Sequence, residues 1–108
     1  MTIVDDGGWT LAAAGDDDFD KVMTWFTDAE SVDRWAGPSF RYPFTRQSFV
    51  EDCRTDIAES YALCNPDGQL AAFGQTCERS GRGHLLRLVV NPLMRRQGAG
   101  KRLIRMMI

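Results

Sequence analysis

The apolar residues of the N-terminal third follow two different spacings. Residues 9–14 form a short apolar run that predicts a first strand, and Gly15 ends it. Apolar residues then recur at i, i+3, i+4 and i+7: Phe19, Val22, Met23 and Phe26. The aspartates at 16–18 precede this stripe, where they supply an N-cap and suit the positive end of a helix dipole. The pattern predicts a strand followed by an amphipathic helix, with residues 1–8 as a loose leader.

Two further short helices are predicted before the next strand. Ser31 is the predicted N-cap of the second helix, and Gly37-Pro38 ends it. Thr45 is the predicted N-cap of the third helix, whose buried face comprises Phe49, Val50, Cys53 and Ile57. Between these helices, residues 35–44 form a loop interrupted by two prolines. Its four large rings predict either a packed lid or the wall of a binding site: Trp35, Phe40, Tyr42 and Phe44.

The second half of the chain is predicted to consist mainly of strands. Tyr61–Cys64 and Gln69–Cys77 are separated by the turn at 65–68, which predicts an antiparallel hairpin. His84–Val90 is the most apolar run of the chain, which predicts a central strand buried on both faces. This order of elements predicts an α+β fold with one mostly antiparallel, mixed sheet of about four strands and flanking helices. With 108 residues, the chain forms one small domain at most.

Charge is distributed unevenly, although the net charge is only −2. Residues 1–60 carry 13 acidic and 5 basic side chains, whereas residues 61–108 carry 2 acidic and 8 basic ones. The overall charge gives no reason to expect nucleic-acid binding. The cations gather around a glycine-containing turn at 95–102, which indicates either a site for a polyanionic ligand or a solvated basic face.

Cysteine spacing and hydropathy narrow the range of protein classes to which the chain could belong. Cys53, Cys64 and Cys77 are widely spaced and His84 is the only histidine, so we expect reduced thiols and no metal site. The N-terminus has neither the basic start nor the apolar core of a signal peptide. No apolar run approaches the roughly 20 residues of a membrane span. We therefore expect a cytoplasmic protein with no membrane partner.

The residues that carry chemistry lie where the last predicted strand ends. Pro92 stops the apolar run, and a turn rich in cations and glycines leads into an apolar, helix-like segment. Gly98 and Gly100 lack the Cβ atoms that would hold a phosphate away from the backbone, and a helix start offers unpaired N–H groups. Four cations surround them: Arg95, Arg96, Lys101 and Arg102. The stretch predicts an anion-binding loop.

Two common phosphate-binding motifs do not fit this loop. The Walker A pattern requires a glycine where Arg95 stands and a hydroxyl where Arg102 stands. The dinucleotide-binding pattern requires a glycine at position 103, which is Leu103. What remains is Arg-x-x-Gly-x-Gly, with a spaced proline and an apolar strand before it and an apolar helix after it. In these features the chain resembles the GNAT superfamily of acyl-CoA-dependent N-acyltransferases, over roughly residues 9–108.

The resemblance implies a cosubstrate, a reaction and a set of binding residues. Acetyl-CoA would donate its acetyl group to an amine of a small molecule or protein, by direct attack in a ternary complex. The pantetheine arm would pair with the backbone of the strand before the loop: Leu88, Val89 and Val90. The pyrophosphate would bind the loop amides: Arg95, Arg96, Gln97, Gly98, Ala99, Gly100 and Lys101.

The catalytic and acceptor-binding residues are less well defined. Many family members place a carboxylate on the strand before the loop, but this strand offers only His84 and Arg87. His84 is a candidate base because imidazole titrates near neutral pH, although it also fits an ordinary surface histidine at a strand edge. Trp35, Phe40, Tyr42 and Phe44 are the candidate acceptor wall. The acidic helices favour a cationic amine, unless their charges are only solvated.

The resemblance also implies that residues 1–108 form an incomplete domain. Family members continue past the helix after the loop with a further strand, a helix and a hairpin. The apolar residues of the last helix would need a cover, which predicts self-association or a C-terminal part. The isolated chain is then expected to show weak catalysis or none. A non-catalytic acyl-CoA- or phosphate-binding module, or half-domain, is the alternative function.

Overall fold

The computed structural model describes residues 2–5 and 7–108. Within them, five strands form one sheet in which every neighbouring pair is antiparallel and the spatial order equals the chain order. The strands are β1 (Thr2–Val4), β2 (Thr10–Ala13), β3 (Glu59–Cys64), β4 (Leu70–Arg79) and β5 (Arg82–Val90). This confirms the predicted α+β class with flanking helices.

The sheet differs from the prediction in its first strand and in its purely antiparallel pairing. Residues 2–4, expected in a loose leader, pair with β2 in the register Thr2 opposite Ala12. The three residues are exposed. An exposed strand of this length carries no apolar alternation that would identify it in the sequence.

Four helices cover the two faces of the sheet. The helices α1 (Asp16–Met23), α2 (Ala29–Ala36) and α3 (Arg46–Asp52) all lie between β2 and β3, whereas α4 (Ala99–Met107) follows β5 and a 3₁₀ turn at Pro92–Met94. One core cluster joins α1, α2 and α3 to the sheet through Phe19, Val32, Phe49 and Phe73. The other cluster packs Leu103 of α4 against Leu11, Leu63 and Ala72.

The helix caps confirm one prediction and correct others. Thr45 caps α3 by accepting a hydrogen bond from the Ser48 N–H at 3.0 Å, as predicted. The N-cap of α2 is Asp28, whose carboxylate accepts from the Ser31 N–H at 2.8 Å, so the prediction that Ser31 is the cap was wrong. Asp and Ser cap helices about equally well, and the sequence does not say which of them comes first. The cap of α1 is Gly15, one residue before the predicted aspartates.

The predicted buried face of α3 extends too far. The helix ends at Asp52, and Arg54 adopts a left-handed backbone with φ of +54°. The chain therefore leaves the helical path before Ile57, which is 62% exposed. Phe49 and Cys53 are buried as predicted.

The strand β5 lies at the edge of the described sheet and not at its centre, which corrects the prediction from its apolar run. It pairs only with β4, and its first residues are exposed. The apolar run is divided between the two layers, because Leu88 and Val90 pack on the α4 side and Val89 packs on the side of α1, α2 and α3. Partial burial on both faces produces the same apolar run as a central strand.

Candidate active site

The turn between β5 and α4 is held in place by Asn91 and Met94. The Asn91 side chain donates to the Leu70 carbonyl at 3.0 Å and accepts from the Leu93 N–H at 3.0 Å. The Asn91 N–H donates to the Ala71 carbonyl at 2.8 Å. Met94 is buried in the α4-side cluster. These contacts tie the start of the loop to β4, so that the residues after Met94 project from a fixed base.

The loop reaches α4 through two residues with left-handed backbone. Arg96 has φ of +70° and Gly98 has φ of +78°. Gly98 is the N-cap of α4. Because glycine has no side chain, the residue at the cap cannot accept a hydrogen bond from the first N–H groups of the helix. They point outward at the positive end of the helix dipole, which is an arrangement that binds anions.

A cleft of about 620 Å³ opens in front of this helix start. Six of the seven predicted loop residues line it together with Val90 of β5: Arg95, Arg96, Gly98, Ala99, Gly100 and Lys101. Gln97 is exposed and lies outside the lining, and Leu88 and Val89 lie further back along β5. A Cβ built at Gly98 would meet no atom within 4 Å, so the cleft is open at that point.

Arg102, counted among the cations of the loop in the sequence, has a different role. Its guanidinium forms an ion pair with Asp5 and lies 4.9 Å from the centre of the Trp9 ring. Arg102 does not line the cleft. It joins α4 to the segment between β1 and β2, a contact across almost the whole chain that sequence spacing could not reveal. The cations that face the cleft are Arg95, Arg96 and Lys101.

A β-bulge interrupts β5 at Arg87 and Leu88, where the predicted pantetheine-binding backbone begins. Phe73 pairs with Val89 and Gln75 with Leu86, so Gly74 alone stands opposite both Arg87 and Leu88. Arg87 has φ of +51°. A bulge of this kind leaves one residue out of the ladder and turns the strand.

Gly74 makes the bulge sterically feasible. A Cβ at this position would lie 2.5 Å from Leu88 Cδ2, 3.1 Å from Met107 Sδ and 3.2 Å from Leu103 Cδ2. The sequence analysis missed the bulge, and its only signal is a glycine within an otherwise well-formed strand. Gly74 therefore links the packing of α4 to the shape of β5.

Comparisons with known proteins identify the family of this chain. The sequence model of the acetyltransferase (GNAT) family matches residues 22–108. The chain belongs to the GNAT acetyltransferase family. No curated protein is similar enough in sequence to count as a match.

Solved GNAT structures share the fold at low sequence identity. The ribosomal-protein-S18-alanine N-acetyltransferase of Escherichia coli is 19% identical with a TM-score of 0.62, and the match covers 92% of this chain and 56% of that one. The ribosomal-protein-S5-alanine acetyltransferase of Vibrio fischeri is 11% identical, with a TM-score of 0.63 and coverage of 99% and 64%. The PaiA N-acetyltransferase of Thermoplasma acidophilum, in complex with coenzyme A, is 15% identical, with a TM-score of 0.63 and coverage of 92% and 69%. The chain thus spans less than two thirds of the first two.

Within the GNAT fold, the candidate base is exposed. His84 stands opposite Cys77 in the ladder of β4 and β5. Its imidazole makes no hydrogen bond to the residues that the structure describes, so its role as a base stays a prediction. The cysteines are free, and burial raises the pKa of Cys53 to about 12, which leaves that thiol protonated and unreactive at neutral pH.

The candidate acceptor wall is largely part of the aromatic core. Phe40 is only 6% exposed, and Trp35 stacks on Phe49 with ring centres 5.7 Å apart. Phe44 packs edge-on against Phe40 and Phe49. Tyr42 contacts Phe44 and is half-buried. These rings stabilise the layer of α1, α2 and α3, and contact with an acceptor stays a prediction for each of them.

Over residues 2–5 and 7–108, no three His, Cys, Asp or Glu side chains are grouped so that they could hold a metal ion. No helix in that part of the chain is long and apolar enough to cross a membrane.

Proposed function

We propose that this chain binds acetyl-CoA at the cleft of the β5–α4 loop and transfers the acetyl group to an amine of a small molecule or protein. One observation carries the proposal: the N–H groups at the start of α4, which have left-handed Gly98 as cap and no side-chain cap among the described residues, open onto a cleft lined by three cations. A structural neighbour with the same fold is a complex with coenzyme A. GNAT membership supports acetyl transfer as the chemistry.

The residues of the cleft fit the pyrophosphate of the cosubstrate. The loop amides and the α4 dipole would stabilise its charge, while Arg95, Arg96 and Lys101 add cations that pair with no carboxylate among the residues described. The backbone of Leu88, at the bulge, and of Val89 and Val90, beyond it, would hold the pantetheine arm. Acetyl-CoA supplies the thioester, and this chain supplies the positioning that makes attack by an amine effectively unimolecular.

The reaction is a direct transfer without a covalent enzyme intermediate. The amine nitrogen forms a bond to the thioester carbonyl carbon, the C–S bond breaks, and the thiolate leaves and takes up a proton. The amine loses one proton to a base. His84 is the candidate for that base, and backbone N–H groups at the bulge would stabilise the developing oxyanion.

The alternative function is acyl-CoA or phosphate binding without turnover. It is favoured by one observation, the absence of a carboxylate on β5 over Arg82–Val90. We further propose that residues 1–108 are the N-terminal part of an acyltransferase domain. In that case α4, with Ile104 39% exposed and Ile108 92% exposed, is covered by a second copy or by more chain.

A matched pair of glycine substitutions tests the binding site. Gly98 and Gly81 have φ of +78° and +76°, and a Cβ at either meets nothing within 4 Å. Gly98→Ala and Gly81→Ala should therefore lose stability equally, by about 1 kcal/mol, because both force alanine into the left-handed region. Only Gly98→Ala places a methyl group in the cleft, so calorimetry should show CoA affinity reduced roughly tenfold or more in that variant alone.

The outcomes of these measurements distinguish the transferase from the non-catalytic binding module. Equal CoA affinity in both variants would contradict binding at this loop. CoA binding together with thiol release in the presence of amines supports the transferase. CoA binding without thiol release, in an assembly whose mass is known from sedimentation, supports the binding module.

A further inference from the structure

A second cleft lies on the opposite side of the bulge from α4. It has a volume of about 390 Å³ and opens between the α2–α3 loop, the end of α3 and the strands β4 and β5. Its floor includes Phe40 and Ala58, both buried. Four charged side chains line it: Asp52, Arg54, Arg79 and Arg87. Charged and apolar groups therefore meet in one cleft.

The positive charge of this cleft is incompletely neutralised. The Asp52 carboxylate is bound by Arg41, which lies outside the lining, with Nη2 2.9 Å from Oδ1 and the Arg41 N–H 2.9 Å from Oδ2. Arg54 pairs with Asp56 at 3.1 Å. Arg79 and Arg87 have no carboxylate within ion-pair distance among the residues described. The cleft therefore presents two arginines without an ion-pair partner among the described residues, although, besides the hydrogen bonds from Arg41, the charge of Arg87 contributes to lowering the pKa of Asp52 in the same lining.

Arg87 is held in one position by neutral acceptors. Its Nη1 donates to Gln75 Oε1 at 3.0 Å and to the Cys53 carbonyl at 3.4 Å. Gln75 is fully buried, and its Nε2 donates at 2.9 Å both to the Cys53 carbonyl and to Ser60 Oγ. A network of buried hydrogen bonds thus fixes the guanidinium without neutralising it.

The opposite edge of the same guanidinium lacks a partner. Both hydrogen bonds of Arg87 use Nη1, and the Nε–H is buried with no acceptor among the described residues. A buried donor without an acceptor is costly and rare in folded proteins. Arg87 lines the cleft, and an arginine can bind both oxygens of a carboxylate through Nε and Nη2 once the side chains that cover the Nε–H move aside.

We propose that this cleft binds the acceptor, and that the acceptor is an amine whose molecule also carries a carboxylate, which Arg87 binds through its Nε–Nη2 edge. The inference rests on the proposed transferase function, because it places the acceptor on the far side of the bulge from the acetyl-CoA cleft. Three acidic side chains of the helices already have a cationic partner, which weakens the case for an acceptor recognised by those charges alone: Asp16 and Asp20 with Arg46, and Glu30 with Arg34.

The test uses the full chain and two probes of matched length, β-alanine and 3-aminopropanol, which differ in the carboxylate. The first readout is the side-chain Nε–H resonance of Arg87 in ¹⁵N-labelled protein, assigned by its loss in Arg87→Lys. β-Alanine should shift this resonance in a saturable manner, with and without CoA, and should bind about ten- to a hundredfold more tightly than 3-aminopropanol. Arg87→Gln should abolish that preference, and Arg87→Lys should retain only part of it because lysine lacks the bidentate edge.

Arg105→Gln serves as the control, since Arg105 is exposed on α4 away from this cleft. It should leave the β-alanine preference unchanged. If Arg87→Gln unfolds, two measurements still test the proposal. They are the resonance titration of the unsubstituted chain and the β-alanine preference of Arg87→Lys. Equal shifts with both probes, or no shift with β-alanine, would overturn the proposal.

CoA affinity, measured on the same samples, keeps the two proposals distinguishable. Loss of CoA binding with a retained Arg87 response would refute the proposed function and leave an anion site at Arg87. If CoA still binds but β-alanine is not preferred over 3-aminopropanol, the proposal of an acceptor with a carboxylate is refuted, and the proposed function is not.

Discussion

At the residue scale, Gly74 controls how close β5 can approach α4. Its missing Cβ leaves room for Leu88, and a methyl group there would also press on Leu103 and Met107. We expect Gly74→Ala to lower the free energy of unfolding by about 1–3 kcal/mol through overpacking, measured by urea denaturation. Because Leu88 would have to move and carries the bulge with it, CoA affinity should fall in the same variant.

Gly83 provides the matched control, since it also lies within β5 but a Cβ there meets nothing within 4 Å. Gly83→Ala should change the free energy of unfolding by less than about 0.5 kcal/mol. If the two variants unfold at the same urea concentration, the close packing around Gly74 is not a determinant of the fold.

At the scale of elements, the segment between β1 and β2 is tied to the first turn of α4. Burial opposes ionisation of Asp5, but hydrogen bonds from the Trp9 and Gly7 N–H groups and from Arg102 outweigh it and hold its pKa below the ordinary 3.8. A carboxyl group with a lowered folded pKa stabilises the fold above its unfolded pKa and loses that effect as the pH falls through its folded pKa. Asp5→Asn should thus be less stable than the unsubstituted chain at pH 7.

The pH dependence distinguishes this ion pair from a simple packing effect. The difference in urea midpoint between the unsubstituted chain and Asp5→Asn should be constant above about pH 5 and shrink below pH 3.8. Asp33→Asn is the control, because Asp33 is exposed and its carboxylate bonds to none of the described residues. A difference for Asp5→Asn that persists unchanged at low pH would contradict a role for the charge.

The elements that the sequence predicts well are those with local causes. The Phe19 stripe, the Thr45 cap and the glycine-containing loop depend on residues a few positions apart, and each is found in the structure. The errors at the caps of α1 and α2, which are Gly15 and Asp28, are local, and most of the other failures concern distant partners. The edge position of β5 depends on which strands pair. The exposure of Ile57 depends on where the chain turns after α3. The ion pair of Arg102 depends on a residue 97 positions away in the sequence. The bulge belongs to the same class, because its residues are defined only by the register against β4.

At the scale of the whole molecule, opposite charges are segregated along the chain and, in part, across its surface. Acidic residues predominate in residues 1–60, where several pair with arginines of the same layer, such as Asp20 with Arg46. Basic residues predominate in residues 61–108 and border both clefts. A net charge of −2 therefore conceals positive potential at the sites proposed for anionic ligands.

This arrangement predicts a specific salt dependence of ligand binding. Arg95, Arg96 and Lys101 are exposed, so their attraction to phosphates is screened by added salt. Since each exposed charge pair is worth up to about 1 kcal/mol, acetyl-CoA affinity should fall roughly tenfold between about 0.05 and 0.5 M NaCl. Acetyl-pantetheine has no phosphates, and its weaker binding should change little over the same range. Calorimetry of both ligands checks this, and an equal salt response of the two would place the phosphates away from the loop before α4.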